Sequence, residues 1–268
     1  MEPVFDWERW DAAMAYAFTN YHFNSFSMHV AGLGGGTFQS RYDPKFLGYD
    51  GSTPDYAILM KKYLGGIEAH LKEKGWLDKA YVYWFDEPDP KDYDFVMNGF
   101  KTLKNGAPGL RRMLTEQVEK DLIEGPNLWC PLTPSLNTPY TEARRSAGDQ
   151  FWWYVCCGPH APYITEFIDH PGIEMRLWLW QTWKERVTGV LIWETTYWHS
   201  DAAYPDKTTL QNPYTDPMSW VSDATLTPGT RSPWGNGDGR FLYPPLATLD
   251  PHNKAPVLED PIDSYRLE

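Results

Sequence analysis

The stretch Ala80-Tyr81-Val82-Tyr83-Trp84-Phe85-Asp86-Glu87-Pro88 decides the fold class. Its first six residues are apolar or aromatic without alternation, the pattern of a strand buried on both faces. The run stops at two adjacent carboxylates and at Pro88, which has no N–H with which to continue a ladder. In α/β barrels the chemistry sits at the C-terminal ends of such strands. A lone acid after a strand is more often the cap of the next helix. Here Asp89-Pro90 already supplies a cap and a first helical residue, which leaves Asp86 and Glu87 as a functional pair.

Working outward, the flanking segments alternate between helical and strand patterns. Residues 6–20 place Trp7, Trp10, Met14 and Phe18 near helical spacing, with Asp6 available as a cap. Residues 24–30 predict a short strand with His29 near its end, followed by Gly34-Gly35-Gly36, read as a permissive turn at a site rim. Thr53-Pro54-Asp55 opens a helix that Gly75 stops, and Asp89-Pro90 opens another that ends near Asn105-Gly106. Strands are predicted at 112–118, 127–132, 151–157 and 188–193, the last one buried, with an aromatic-faced helix at 171–186. About six strands interleaved with helices predict a parallel α/β sheet or barrel in a single domain. A full (β/α)8 barrel needs eight, so two strands are expected to be missing at the front, and 264–268 reads as a helix cut at its first turn. Residues 199–239 show neither period but hold Tyr204, Tyr214, Trp220 and Trp234, which predicts a packed, lid-like loop.

Composition narrows the function classes. The 268 residues carry a formal charge of −12, which argues against nucleic acid or an anionic membrane surface as partner. No run of about 18 apolar residues exists, so no membrane-spanning helix is expected. Aromatic residues make up 16%, including 14 Trp and 17 Tyr, enough to supply rings that stack on sugar faces as well as a core. Cys130, Cys156 and Cys157 form no disulfide framework, and the seven histidines show no ligand spacing such as HExxH. Neither a metal nor a cofactor is expected. Residues 1–7 show neither the basic nor the apolar region of a signal peptide.

Five stretches in order, YWFDEP at 83–88, WYVCCGPHAPY at 153–163, IEMRLWLWQTWK at 173–184, GVLIWETTYW at 189–198 and GNGDGRFLYP at 235–244, resemble the catalytic domain of glycoside hydrolase family 123. The resemblance implies a (β/α)8 TIM-like barrel, here incomplete at both ends, with Asp86 and Glu87 on its fourth strand. It implies a glycan substrate with a β-linked N-acetylhexosamine, N-acetylgalactosamine first, cleaved with retention by substrate assistance. The sugar's own acetamido oxygen attacks the anomeric carbon, so no enzyme nucleophile is needed. Glu87 would act as acid and then base, and Asp86 would orient the acetamido N–H. Trp193 would floor the sugar pocket, with Tyr154, Tyr197 and Trp198 adding stacking or a hydroxyl. For any one of these aromatics core packing is the alternative. Export suits a glycan-degrading enzyme, with its signal expected in the missing front end.

Two other readings stay open in the sequence. A two-carboxylate retaining β-glycosidase would keep Glu87 as acid/base and use Glu116 or Glu194 as nucleophile. A carbohydrate-binding remnant without turnover is the other. The choice between GalNAc and GlcNAc turns on one hydroxyl read by loop residues.

Overall fold

The computed structural model describes residues 2–206, 208–222, 230–250, 252–253 and 255–267. The chain divides into two compact units, Met1–Pro131 with Ser135–Phe151, and Leu132–Pro134 with Trp152–Glu268. Six parallel strands pair in chain order: β1 (Phe26–Ser27), β2 (Ala80–Val82), β3 (Arg111–Leu114), β4 (Leu128–Trp129), β5 (Gln150–Tyr154) and β6 (Gly189–Leu191). The strand β5 starts in the first unit and finishes in the second. Strand, helix and parallel pairing follow the α/β pattern expected from the sequence.

In the first unit the helices are α1 (Glu8–Asn20), α2 (Pro54–Glu73), α3 (Tyr93–Gly106) and the short α4 (Thr141–Ser146). The Thr53 hydroxyl accepts the Tyr56 N–H at 3.3 Å, Pro54 occupies the first turn, and Gly75 leaves the helix at φ +69°. Helix α2 packs on α3 through Leu64 and Gly106, where an added Cβ would stand 2.7 Å from the Leu64 Cβ. The side chains of Met60, Leu64, Ile67, Leu71, Val96 and Leu103 are fully buried there. Burial of this kind stabilises by about 1.5–3 kcal/mol per large apolar side chain. Asp89 is extended and precedes a turn at Pro90–Asp92, but its side chain makes no cap bond and pairs with Lys91 at 2.9 Å instead. Similarly, Asp6 accepts from the Glu8 N–H at 3.3 Å from one position outside the cap, which Trp7 occupies.

The 80–88 run is not one strand. It leaves the six-stranded sheet after Val82 and resumes at Phe85–Asp86 in a separate small sheet, beside Gly35–Thr37. Between them Trp84 drops its ring against Gly99 of α3, among Phe85, Phe95 and Phe100. Gly35 and Gly36 of the glycine triplet accordingly lie in a strand rather than a turn, with Gly34 just before it at φ +74°. Gly36 pairs with Phe85 and Thr37 with Asp86, and a Cβ on Gly35 would lie 3.1 Å from the Trp84 carbonyl.

The second unit holds β6, the helix α5 (Ile173–Lys184) and two antiparallel pairs, Met218–Ser222 with Arg231–Asn236 and Leu242–Tyr243 with Ile262–Asp263. The first pair lies inside the segment expected as an aperiodic loop. A register shift at Ser219/Trp220 and Pro233 in the ladder break the alternation that would have marked it. Strand β6, expected to be buried, is half-buried along its length. On α5 only Trp178 is buried, while Trp180 and Trp183 are 69% and 81% exposed. Among the described residues no helix is long and apolar enough to cross a membrane.

Candidate active site

Asp86 and Glu87 sit where the backbone leaves its extended course. Glu87 has φ +42°, a left-handed conformation that costs an L-residue roughly 1–2 kcal/mol. Consecutive strand residues face opposite ways. The reversal at Glu87 therefore changes the direction of the second carboxylate, and it falls one residue before Pro88, where the sequence placed the break.

Hydroxyl groups hold this turn. The Asp86 Oδ1 accepts from the Tyr83 hydroxyl and from the Thr115 hydroxyl at 2.9 Å. Thr115 Oγ1 in turn accepts the Glu87 N–H at 2.8 Å. Burial, reinforced by the negative charge of Asp86, pushes the Tyr83 phenol far above its usual range, so it remains a donor. Thr115 is 4% exposed and follows β3 directly. The register Tyr81 to Arg111 and Val82 to Arg112 brings the ends of β2 and β3 side by side.

Glu116 follows Thr115. Burial pushes its carboxyl up to about 7, with the charges of Glu119 and Glu87 acting in the same direction against the Gln117 N–H, which donates at 3.1 Å. Tyr93, in the field of Glu116 and Glu119, is also held well above its usual range, mainly by burial. Three glutamates, one aspartate and two phenols thus occupy one acidic region of the first unit. His29, from the same unit, is exposed.

The aromatic candidates belong to the second unit. Trp193 donates from Nε1 to Asp238 Oδ1 at 2.9 Å and is 36% exposed. Tyr197 meets it edge-on with centroids 5.1 Å apart, and Trp234 lies at 6.0 Å. Gly239, at φ +71°, passes so close that a Cβ would stand 2.7 Å from the Trp193 ring. Trp198 is anchored through Nε1 to the Leu242 carbonyl at 2.7 Å. Tyr154 is buried in β5, 5% exposed. Glu194 turns Oε1 back onto its own loop, accepting from the N–H groups of Thr195 and Thr196 and from the Thr196 hydroxyl at 2.8–3.0 Å. These donors, the Thr196 N–H foremost, hold its carboxyl below the usual range.

Sequence reasoning missed the residues that hold these side chains. Thr115 and Tyr83 were hidden because their role depends on the strand register. Asp238 and Glu166, both fully buried, support Trp193 and the Gly239 N–H, which donates to Glu166 Oε1 at 3.1 Å. Burial, then the neighbouring Asp238, raises the Glu166 carboxyl well above its usual range. The GNGDG turn was the available signal for that support.

No curated protein matched the sequence. Among solved structures, the fold is similar to that of a family 123 glycoside hydrolase from Clostridium perfringens, described for glycolipid glycan hydrolysis. The TM-score is 0.50 at 16% identity, over 83% of this chain and 34% of that one. The chain therefore spans about a third of the length of that relative. Residues 5–253 match the family model described as "Glycoside hydrolase 123, catalytic domain", and with that match the chain belongs to glycoside hydrolase family 123.

Proposed function

We propose that the chain hydrolyses β-linked N-acetylhexosamine, N-acetylgalactosamine first, with the sugar's acetamido oxygen as nucleophile. The observation that carries this reading is the pinning of Asp86. Two hydroxyl donors occupy its Oδ1, which leaves Oδ2 as the acceptor for one further donor, as an acetamido N–H requires. Glu87, displaced from the strand direction by its left-handed backbone, protonates the leaving oxygen and then deprotonates water. In the oxazolinium intermediate positive charge builds beside Asp86, which stabilises it. Retention follows from two displacements at the same carbon.

Of the two carboxylates that a protein-nucleophile scheme could use, Glu116 is poorly suited to attack, because burial favours its protonated form up to about pH 7. In the second unit Trp193, with Tyr197 and Trp198, presents an aromatic surface of the kind that stacks on a pyranose face. The six strands in chain order are read as a sector of an eight-stranded barrel.

The test is hydrolysis of aryl β-GalNAc, β-GlcNAc and β-galactoside by the wild type, Asp86→Asn and Glu87→Gln. Release from acetamido sugars alone, strongly reduced in both variants, is expected. Cleavage of the galactoside that tolerates Asp86→Asn overturns the reading in favour of a protein nucleophile. Sugar binding without turnover, unchanged in Glu87→Gln, indicates a binding remnant.

A further inference from the structure

We infer that Thr115 is a positioning residue that fixes both members of the acidic pair through one hydroxyl group. The directions of its bonds are forced. The Glu87 N–H can only donate, so Thr115 Oγ1 accepts it at 2.8 Å. The single Thr115 proton goes to Asp86 Oδ1 at 2.9 Å. The Tyr83 hydroxyl lies 3.3 Å from Thr115 Oγ1, and its own proton points to Asp86. One side chain thereby ties the strained backbone of Glu87 to the carboxylate of Asp86.

Burial makes the arrangement stiff. Thr115 is 4% exposed and continues directly from β3, whose Met113 and Leu114 are fully buried. A β-branched side chain there has little rotamer freedom. The hydroxyl is therefore aimed by the strand, and the strand by the sheet. What Thr115 contributes to the reaction is the relative placement of acid/base and orienting carboxylate, with no contact to the substrate required. This inference rests on the proposed roles of Asp86 and Glu87.

The experiment compares Thr115→Val, which keeps the shape and removes the hydroxyl, with Thr115→Ser, which keeps the hydroxyl. On an aryl β-GalNAc substrate, Thr115→Val is expected to lower kcat about 10- to 100-fold with KM nearly unchanged, the scale of a small misplacement of reacting groups. Thr115→Ser is expected to restore most of the rate. Amide hydrogen exchange at Glu87 supplies a readout without turnover: its N–H is expected to exchange faster in Thr115→Val and near the wild-type rate in Thr115→Ser. Unchanged Glu87 exchange in Thr115→Val overturns the inference, as does unchanged kcat in an active protein. Faster Glu87 exchange in Thr115→Val, with a folded wild type that cleaves no substrate, supports the positioning and overturns the proposed function alone.

Discussion

The left-handed backbone at Glu87 gives a prediction that runs against the usual rule for glycine. Replacing Glu87 by Ala and, separately, by Gly removes the carboxylate in both cases, so the two variants lose the same side-chain interactions beyond Cβ. They differ in whether a Cβ must be accommodated at φ +42°. A left-handed L-residue costs roughly 1–2 kcal/mol. Glycine escapes this but gives back about 0.4–1 kcal/mol through the greater freedom of its unfolded chain. The balance makes Glu87→Gly more stable than Glu87→Ala by about 0.5–1 kcal/mol, whereas at an ordinary extended or helical position Ala would win by a similar margin. Urea unfolding of both variants, followed by tryptophan fluorescence, measures the difference directly. Both are expected to be inactive, so stability is separated from turnover. A variant order with Ala equal to or above Gly would refute the claim that the backbone stores strain at this residue.

Two further outcomes follow from burial. The Glu116 carboxyl is raised to about 7 from its ordinary value of 4.5, so between those values the native state binds more protons than the unfolded chain. The wild type therefore loses stability from this group as pH rises through that window. Glu116→Gln, which cannot ionise, should gain on the wild type between pH 5 and pH 8 in urea midpoints, and it should retain hydrolysis if Glu116 is not the nucleophile. A pH-independent difference between the two proteins would contradict the assignment. Gly99→Ala, a change that normally favours a helix interior by roughly 1 kcal/mol, should instead destabilise by about 1–3 kcal/mol. Its Cβ would lie 2.1 Å from Trp84 Cζ2, and that ring is boxed in by Phe85, Phe95 and Phe100. Chemical unfolding decides the sign.

Much of this architecture was legible because it is written in local signals. Six strand segments, the capped start of α2 and its stop at Gly75, and the carboxylates at the end of the central run all follow from short-range pattern. The failures have two causes: information that lies in a partner distant in sequence, and local irregularity that hides a strand's period. Gly35–Thr37 has no strand composition, yet it forms a ladder because Phe85–Asp86 offers hydrogen bonds beside it. The pair Met218–Ser222 and Arg231–Asn236 escaped the period-2 test through its register shift and Pro233. Thr115 could be singled out only after the β2–β3 register was known. Glu116, its neighbour in sequence, drew attention because it carries a charge.

The placement of two carboxylates on consecutive residues has a structural cost, and the surrounding side chains show how it is met. In an uninterrupted strand Trp84 and Asp86 would share one face, and Phe85 and Glu87 the other. Phe85 is 1% exposed, so Glu87 would then be directed toward the apolar side. Burying an unpaired carboxylate there would cost far more than the roughly 1–2 kcal/mol of a left-handed residue. The chain takes the smaller cost. Trp84 fixes the end of one segment against Gly99, the Gly35–Thr37 strand fixes Phe85–Asp86, and Thr115 satisfies the Glu87 N–H that the turn removes from the ladder. Each of these contacts acts on the backbone around the pair, so the pair's geometry is set before any sugar binds. In the proposed reaction such preorganisation matters because the nucleophile arrives with the substrate, and the protein supplies its orientation and the acid/base group.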